Sequence, residues 1–422
     1  MMPRLRALAR PVATVEIWPV ALLLAASVVS TAALPIALAV AALFWPIRWL
    51  AYGHLTLRSA ADWPAGLLLL TLPVTLWATA LPAVTQTEVL RLLAGLALYY
   101  AIVNWVGHGD ARRPLRWLAT GLVAAGLGLA LAAPFTVEWI VVGKLLFIPE
   151  TLYRRLPLLL ADPIHPNVMA GALGLLLPLA LALPLFAWRE LRWFERLLTL
   201  AAALAMLGIL LISKSRGGLL AFGAVLILLA ALRWRRGWLL APAAILAAGI
   251  ALWSVGPGWV IEALTATQAL GGLDGRLEVW SRGLYMAQDF PFTGIGMGTF
   301  RQVANAMYPF FLAGPDADIP HAHNLLLQVA VDQGLPGLVM WLALLLLVIC
   351  GAWSVYRRGQ RAGDRRLTAL GAGLLCSQAA LVVHGLLDAT VWGTRPAVLA
   401  WAVWGLAMAA WNWAATSPRV RI

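Results

Sequence analysis

Charge is what this chain has least of. Only 12% of its 422 residues are Asp, Glu, Lys or Arg, about half the share of an ordinary soluble domain. A chain so short of charge and 62% hydrophobic excludes a soluble enzyme and a disordered segment, both of which need polar groups to stay solvated. Cysteine is nearly absent. Cys350 and Cys376 both fall in apolar runs, which excludes a disulfide-stapled secreted scaffold. Acid is scarcer than base, 18 residues against 31, for a net charge of +13. In a soluble chain that excess would point to nucleic acid. In a membrane chain the preference for Lys and Arg in cytoplasmic loops explains it, and nucleic acid drops out as a partner. The sequence also lacks a Walker A loop, a run of metal ligands within the apolar segments and a regular chain of intramembrane acids. Those absences argue against ATP-driven and proton-driven chemistry.

Apolar segments long enough to cross a bilayer fill the chain instead. They lie near 17–32, 34–50, 64–81, 88–106, 115–133, 166–187, 196–213, 217–232, 237–254, 324–356, 367–388 and 395–414, which predicts an all-α polytopic membrane protein of about twelve transmembrane helices. The basic start (Arg4, Arg6, Arg10) before a long apolar stretch predicts an uncleaved first span rather than a signal peptide. The segment after Asn324 is too long for one crossing. It is expected to begin as a half-buried helix, break at Gly334-Leu335-Pro336-Gly337 and then cross. With the N-terminus cytoplasmic, the cytoplasmic segments collect 21 of the 31 basic residues and six of the 18 acidic ones, a net of +15; the outer segments keep 10 basic and 12 acidic, a net of −2. That asymmetry predicts both termini in the cytoplasm and an even number of spans. Three regions follow: a membrane bundle of about nine helices over 1–254, a large extracytoplasmic loop over 255–322, and a C-terminal bundle of about three helices over 323–422. Gly275 to Gln288 reads as a helix within the loop. No tandem repeat or soluble domain is apparent.

Ionisable groups at the mouths of spans are costly and therefore candidates for function. Four clusters fall on the outer side. Ser213-Lys214-Ser215-Arg216-Gly217-Gly218 joins two apolar runs in a tight turn; its two cations and backbone donors suit a phosphate or diphosphate, or the side chains simply snorkel. Asp274 to Arg282 reads as a helix with Arg276 and Trp280 on one face, or as a surface helix with local ion pairs. The glycines of Gly294-Ile295-Gly296-Met297-Gly298 follow no strand, so a dinucleotide loop is excluded, and a turn that folds back over the membrane fits better. His321-Ala322-His323-Asn324 precedes a helix that His323 or Asn324 can cap, and a neutral imidazole there can serve as a general base. A metal would need a third ligand, for which Asp316-Ala317-Asp318 is the neighbouring candidate. His384 and Asp388 share a face at i, i+4 and either orient one another or hold helices together.

Taken together, Ser215-Arg216-Gly217-Gly218, Gly275-Arg276-Leu277-Glu278-Val279-Trp280, Pro291 to Phe300 and His321 to Gln328 through Gly334-Leu335-Pro336-Gly337 resemble the O-antigen ligase superfamily. His165-Pro166-Asn167 before a span and the His384–Asp388 stretch agree with it. The resemblance runs over nearly the whole chain; a residue with a hydroxyl stands between the histidines in many members, where this chain has Ala322. It implies a glycosyltransferase of the GT-C type in the bacterial inner membrane, with its active site on the extracytoplasmic face and no metal, nucleotide or other cofactor. It also implies an undecaprenyl-diphosphate-linked glycan donor and a saccharide, lipid or protein acceptor, which separates ligase, polymerase and protein O-oligosaccharyltransferase. On that reading Lys214, Arg216, Arg276 and Arg282 hold the diphosphate, and His323 or His321 takes the acceptor proton. Asp388 and His384 orient them, and Ser215, Asn324 and Asn167 are further candidates. A transporter of lipid-linked sugars is the competing class. It would place its cations in a central cavity rather than on one face.

Overall fold

The computed structural model describes residues 2–108, 111–139, 151, 156–255, 273–312, 314 and 318–416. Among them there is no strand, only an isolated bridge between Val137 and Ile164. The helices are α1 (Met2–Thr14), α2 (Ile17–Val29), α3 (Ala33–Tyr52), α4 (Asp62–Ala78), α5 (Pro82–Gly107), α6 (Arg112–Thr136), α7 (Pro166–Ala187), α8 (Trp193–Ile212), α9 (Arg216–Arg233), α10 (Leu240–Val255), α11 (Leu273–Asp289), α12 (Phe300–Met307), α13 (Leu325–Ala362), α14 (Arg365–Gly385) and α15 (Val398–Thr416).

Each expected span has its helix, and among the described residues eleven are long and apolar enough to cross a membrane, against about twelve expected. The difference is α4, which has 17 residues, about 25 Å at the helical rise. Trp63 and Trp77 stand 82% and 81% exposed towards its two ends, where interfacial tryptophans are expected. The basic N-terminal stretch, expected only to precede the first span, is itself the helix α1 and packs on α3. Two charges near the ends of expected spans, Arg48 and Glu16, are buried. Arg48, inside α3, is 1% exposed and lies 3.4 Å from Glu16. An arginine inside an apolar helix is tolerated only with such a counter-charge.

Helices α5, α7, α14 and α15 are buried over most of their length, whereas α6, α8 and α9 turn most of theirs outward. The core is α7 against α14, α14 against α13 and α9, and α15 against α5. At one end of this bundle the basic loops meet: Arg116 and Arg366 both pair with Glu195, and Arg112 pairs with Asp364. The helix starts at Arg112 and Arg365 fix this as the basic end; α14 then runs to the opposite end, where His384 lies.

The long helix α13 breaks where the sequence predicted. Gly334 has φ 71° and ψ −177° inside it, a conformation open to glycine and costly elsewhere. The break frees backbone groups that must find partners inside the protein. The segment Pro291–Gly298 and α4 supply them. Leu335 donates its N–H to the Pro291 carbonyl at 2.7 Å, Ile295 donates to the Val331 carbonyl at 2.9 Å, and the Thr75 hydroxyl donates to the Asp332 carbonyl at 2.9 Å. The glycine-rich turn therefore does fold back onto the bundle. Helices α11 and α12 lie beside it with a small core of Val279, Met286, Ile295, Phe300 and Phe310.

Candidate active site

Three helices begin at the end of the bundle away from the basic loops, and each starts on a polar cap. His165 precedes Pro166, whose fixed φ suits the first helical position, and its Nδ1 accepts the Asn167 N–H at 3.2 Å to open α7. The Ser215 hydroxyl accepts the Gly218 N–H at 3.3 Å to open α9. The Asn324 side chain accepts the Leu327 N–H at 3.0 Å to open α13. All three N-termini then touch one short segment at the end of α14. The amide of Asn167 donates to Asp388 Oδ2 at 2.8 Å, and that of Asn324 donates to the Leu386 carbonyl at 3.1 Å. Gly217 lies against His384 and Leu387 so closely that a Cβ there would sit 2.7 Å from His384 Cδ2. Helix N-termini carry partial positive charge, so their convergence favours an anion.

Asp388 is the hub. It is 2% exposed and lies just past the end of α14, in a turn that its Oδ1 closes by accepting the Ala389 N–H at 2.9 Å. The same oxygen is 3.3 Å from His323 Nδ1 and 3.5 Å from His321 Nε2. The two imidazole rings meet edge to face at 4.5 Å between centroids. His321 Nδ1 accepts the backbone N–H of His323 at 3.3 Å, so that nitrogen carries no proton and Nε2 does. Burial pushes the His321 imidazole down to about 4 although Asp388 pulls the other way; it is neutral at physiological pH. Burial acts to raise the Asp388 carboxyl, but the imidazoles of His321 and His323 outweigh it and hold the group below the usual carboxylate range. His165 belongs to the same field.

The cations gather on the same side. Arg276 donates from Nη1 to the Leu387 carbonyl at 3.0 Å, next to Asp388, and Trp280 on the same face of α11 donates to the His323 carbonyl at 3.3 Å. Lys214, with φ 50°, and Arg216 occupy the turn into α9 beside Gly217. The structure does not bring Arg282 into this group. It donates to the Pro309 carbonyl at 2.9 Å, lies 3.5 Å from Glu278 and stacks on Phe311. The helical period explains this, since Arg282 points about 120° away from Arg276 around α11. His384 and Asp388 are near neighbours, but no hydrogen bond joins their side chains among the described residues; His384 Nε2 is buried with no hydrogen-bond partner. Asp316 and Ala317 lie outside the described residues, and Asp318 pairs with Arg301 at 2.8 Å.

The third ligand that a metal reading lacked is Asp388. Ligand atoms of His321, His323 and Asp388 lie within 4.8 Å of one another, a group that could hold a metal ion. An apolar groove of about 770 Å³ runs between α2, α5, α6, α7 and α15, from Trp18, Trp105 and Trp117 to Ile164 and Met169, on either side of the His165–Asn167 cap. Another cavity of about 670 Å³ opens at the basic end among Arg112, Arg116, Glu195 and Arg366, away from this centre. Sequence reading did not single out the His165 imidazole, nor Gln328, Asp332 and Trp392, which tie the site together behind its surface.

Fold and site thus define a multi-pass membrane protein with a histidine–carboxylate centre beside clustered cations at one end of its bundle. Residues 201–342 match the family model described as O-antigen ligase. The matched segment contains Lys214, Arg216, Arg276, His321, His323 and Asn324, and ends before His384 and Asp388. No curated protein matches the chain.

Proposed function

We propose that this chain transfers a glycan from an undecaprenyl-diphosphate-linked donor to an acceptor hydroxyl, as an O-antigen ligase does, on the extracytoplasmic face of the bacterial cytoplasmic membrane. The observation that carries this reading is the His323–Asp388 pair set beside Arg216, Arg276 and the start of α9. The charge asymmetry supports that end lying outside and both termini in the cytoplasm. The polyprenyl tail then lies in the apolar groove lined in part by Ile164 and Met169.

The hydrogen-bond geometry favours His323 as the base. His323 donates from Nδ1 to Asp388, which leaves the Nε2 lone pair for a substrate proton. His321 has no such freedom, because its lone pair already accepts a backbone N–H. The acceptor oxygen bonds to the anomeric carbon as its proton passes to His323 Nε2. The bond from that carbon to the diphosphate oxygen breaks, and the electron pair leaves with undecaprenyl diphosphate. Lys214, Arg216, Arg276 and the N-terminus of α9 stabilise the charge that grows there. Asp388 stabilises the imidazolium. One displacement inverts the anomeric centre. Arg282, engaged by Glu278 and Phe311, has no part in the clamp. Ligase, polymerase and protein transferase share this chemistry and differ in what brings the hydroxyl.

A test follows from the assignment. His323→Ala should keep donor binding and lose turnover; an active His323→Ala beside a dead His321→Ala would move the base to His321. A second reading makes His321, His323 and Asp388 a metal site. Against it, Asp388 already accepts from Asn167 and Ala389, and His321 Nδ1 is engaged. Transfer that survives a strong chelator supports the metal-free reading, and transfer lost to the chelator and restored by one divalent ion supports the metal.

A further inference from the structure

Behind the reacting groups sits a carboxylate that the mechanism does not use. Asp332, 1% exposed, lies in the last turn of α13 before the Gly334 break. Its Oδ1 accepts from Gln328 Nε2 at 2.9 Å and from the Gly298 N–H at 3.3 Å; its Oδ2 accepts from Trp392 Nε1 at 2.7 Å. Gln328 is buried as well, and its Oε1 accepts the Ala322 N–H at 2.7 Å. That bond settles the amide orientation. A backbone N–H must meet the carbonyl oxygen, so the NH2 group faces Asp332. Indole, amide NH2 and backbone N–H can only donate, so both oxygens of Asp332 act as acceptors.

These bonds lead to both halves of the catalytic pair. Ala322 stands between His321 and His323, and Trp392 stands four residues after Asp388. The histidine loop needs support from outside, since His323 itself has φ 46°, a left-handed backbone that a residue with a Cβ seldom adopts. Asp388 too lies beyond the end of its helix. We infer that Asp332, acting through Gln328 on one side and Trp392 on the other, is a positioning residue that sets the separation between the two histidines and Asp388. Its kinetic consequence rests on the function proposed above; its structural consequence does not.

The experiment uses the full-length protein in detergent and reads two quantities, glycan-transfer kinetics and the NMR resonances of labelled histidine side chains. Asp332→Asn turns one acceptor into a donor facing other donors. It should lower kcat about tenfold or more with little change in the donor KM, because reacting groups are misplaced rather than lost. The His321 and His323 resonances should shift with it. Gln328→Met removes the Gln328 bonds to both Asp332 and Ala322 but leaves the Trp392 side intact, and should give the same signature more weakly. The exchange Asp332→Asn with Gln328→Glu rebuilds the chain of bonds. The introduced carboxylate accepts from Ala322 and from the introduced amide, the oxygen of that amide accepts from Trp392, and only the long Gly298 bond is lost. The double variant should recover kcat to within a few-fold and return the resonances towards wild type. Wild-type kcat and unmoved histidines in Asp332→Asn would overturn the inference, as would a folded double variant no better than the single one. If the wild-type protein transfers no glycan, the proposed function fails, and the histidine resonances still decide whether Asp332 positions them.

Discussion

Asp388→Asn keeps the shape of the hub and removes its charge, so it isolates what that charge does for the base. The carboxylate oxygen lies 3.3 Å from His323 Nδ1. At an effective dielectric constant of about 20, two unit charges at that separation attract by about 5 kcal/mol. The proton is only part-way to His323 in the transition state, and cations stand on the far side, so roughly 3–5 kcal/mol of imidazolium stabilisation is at stake. That corresponds to about 10²- to 10⁴-fold in kcat. Geometry adds to the loss. Asp388 accepts from Asn167 and Ala389 as well as facing both histidines, so one side of the new amide must press an N–H against another donor. The assay is transfer of labelled glycan from lipid-linked donor by purified protein, with kcat and KM separated. KM should move little, because the groups assigned to the diphosphate are Lys214, Arg216 and Arg276. Asp388→Glu, which keeps the charge, should retain more activity than Asp388→Asn. A folded Asp388→Asn enzyme with kcat within about threefold of wild type would refute the claim that this carboxylate supports the base.

Two further outcomes follow from the same geometry. The folded His321 has a pKa pushed down to about 4, below the ordinary value of about 6.5. Its contribution to stability is therefore complete above pH 6.5 and is lost as pH falls towards 4, and His321→Gln should flatten the acid decline of the melting temperature between those values; an unchanged decline would show that His321 is not the group that titrates. A methyl group at Gly217 would meet His384 at 2.7 Å, so Gly217→Ala should reduce transfer and destabilise by about 1–3 kcal/mol, whereas Gly223→Ala, with open space around it, should do neither; equal behaviour of the two in melting and transfer would remove His384 from the account.

Most of the fold was legible because hydropathy and the basic loops are properties of contiguous sequence. The break in α13 was legible for the same reason: a Gly-Leu-Pro-Gly run inside an overlong apolar segment leaves few alternatives. Arg48 stands near the end of an apolar run, and only the folded chain shows Glu16 beside it. The histidines, Asp388, Asn167 and Arg276 could each be singled out as polar groups at span mouths. Their meeting could not be seen, because it joins α7, α11, α13 and α14 across the bundle. Arg282 shows the opposite error, since its place on the far side of α11 from Arg276 follows from spacing alone. Gln328 and Asp332 were passed over because a buried amide and acid on a helix carry no local signature. Their meaning lies in Ala322, Gly298 and Trp392, which approach from three separate segments.

The central claim is that this protein breaks a sugar–diphosphate bond in a single displacement at the His323–Asp388 centre. The most direct measurement is the product of the purified protein in detergent, where transport has no meaning, given undecaprenyl-diphosphate-linked glycan and acceptor without nucleotide. The account predicts glycosylated acceptor with inverted anomeric configuration and an equal amount of undecaprenyl diphosphate, both abolished by His323→Ala. Retained configuration, or no product from a folded protein that binds the donor, would contradict it.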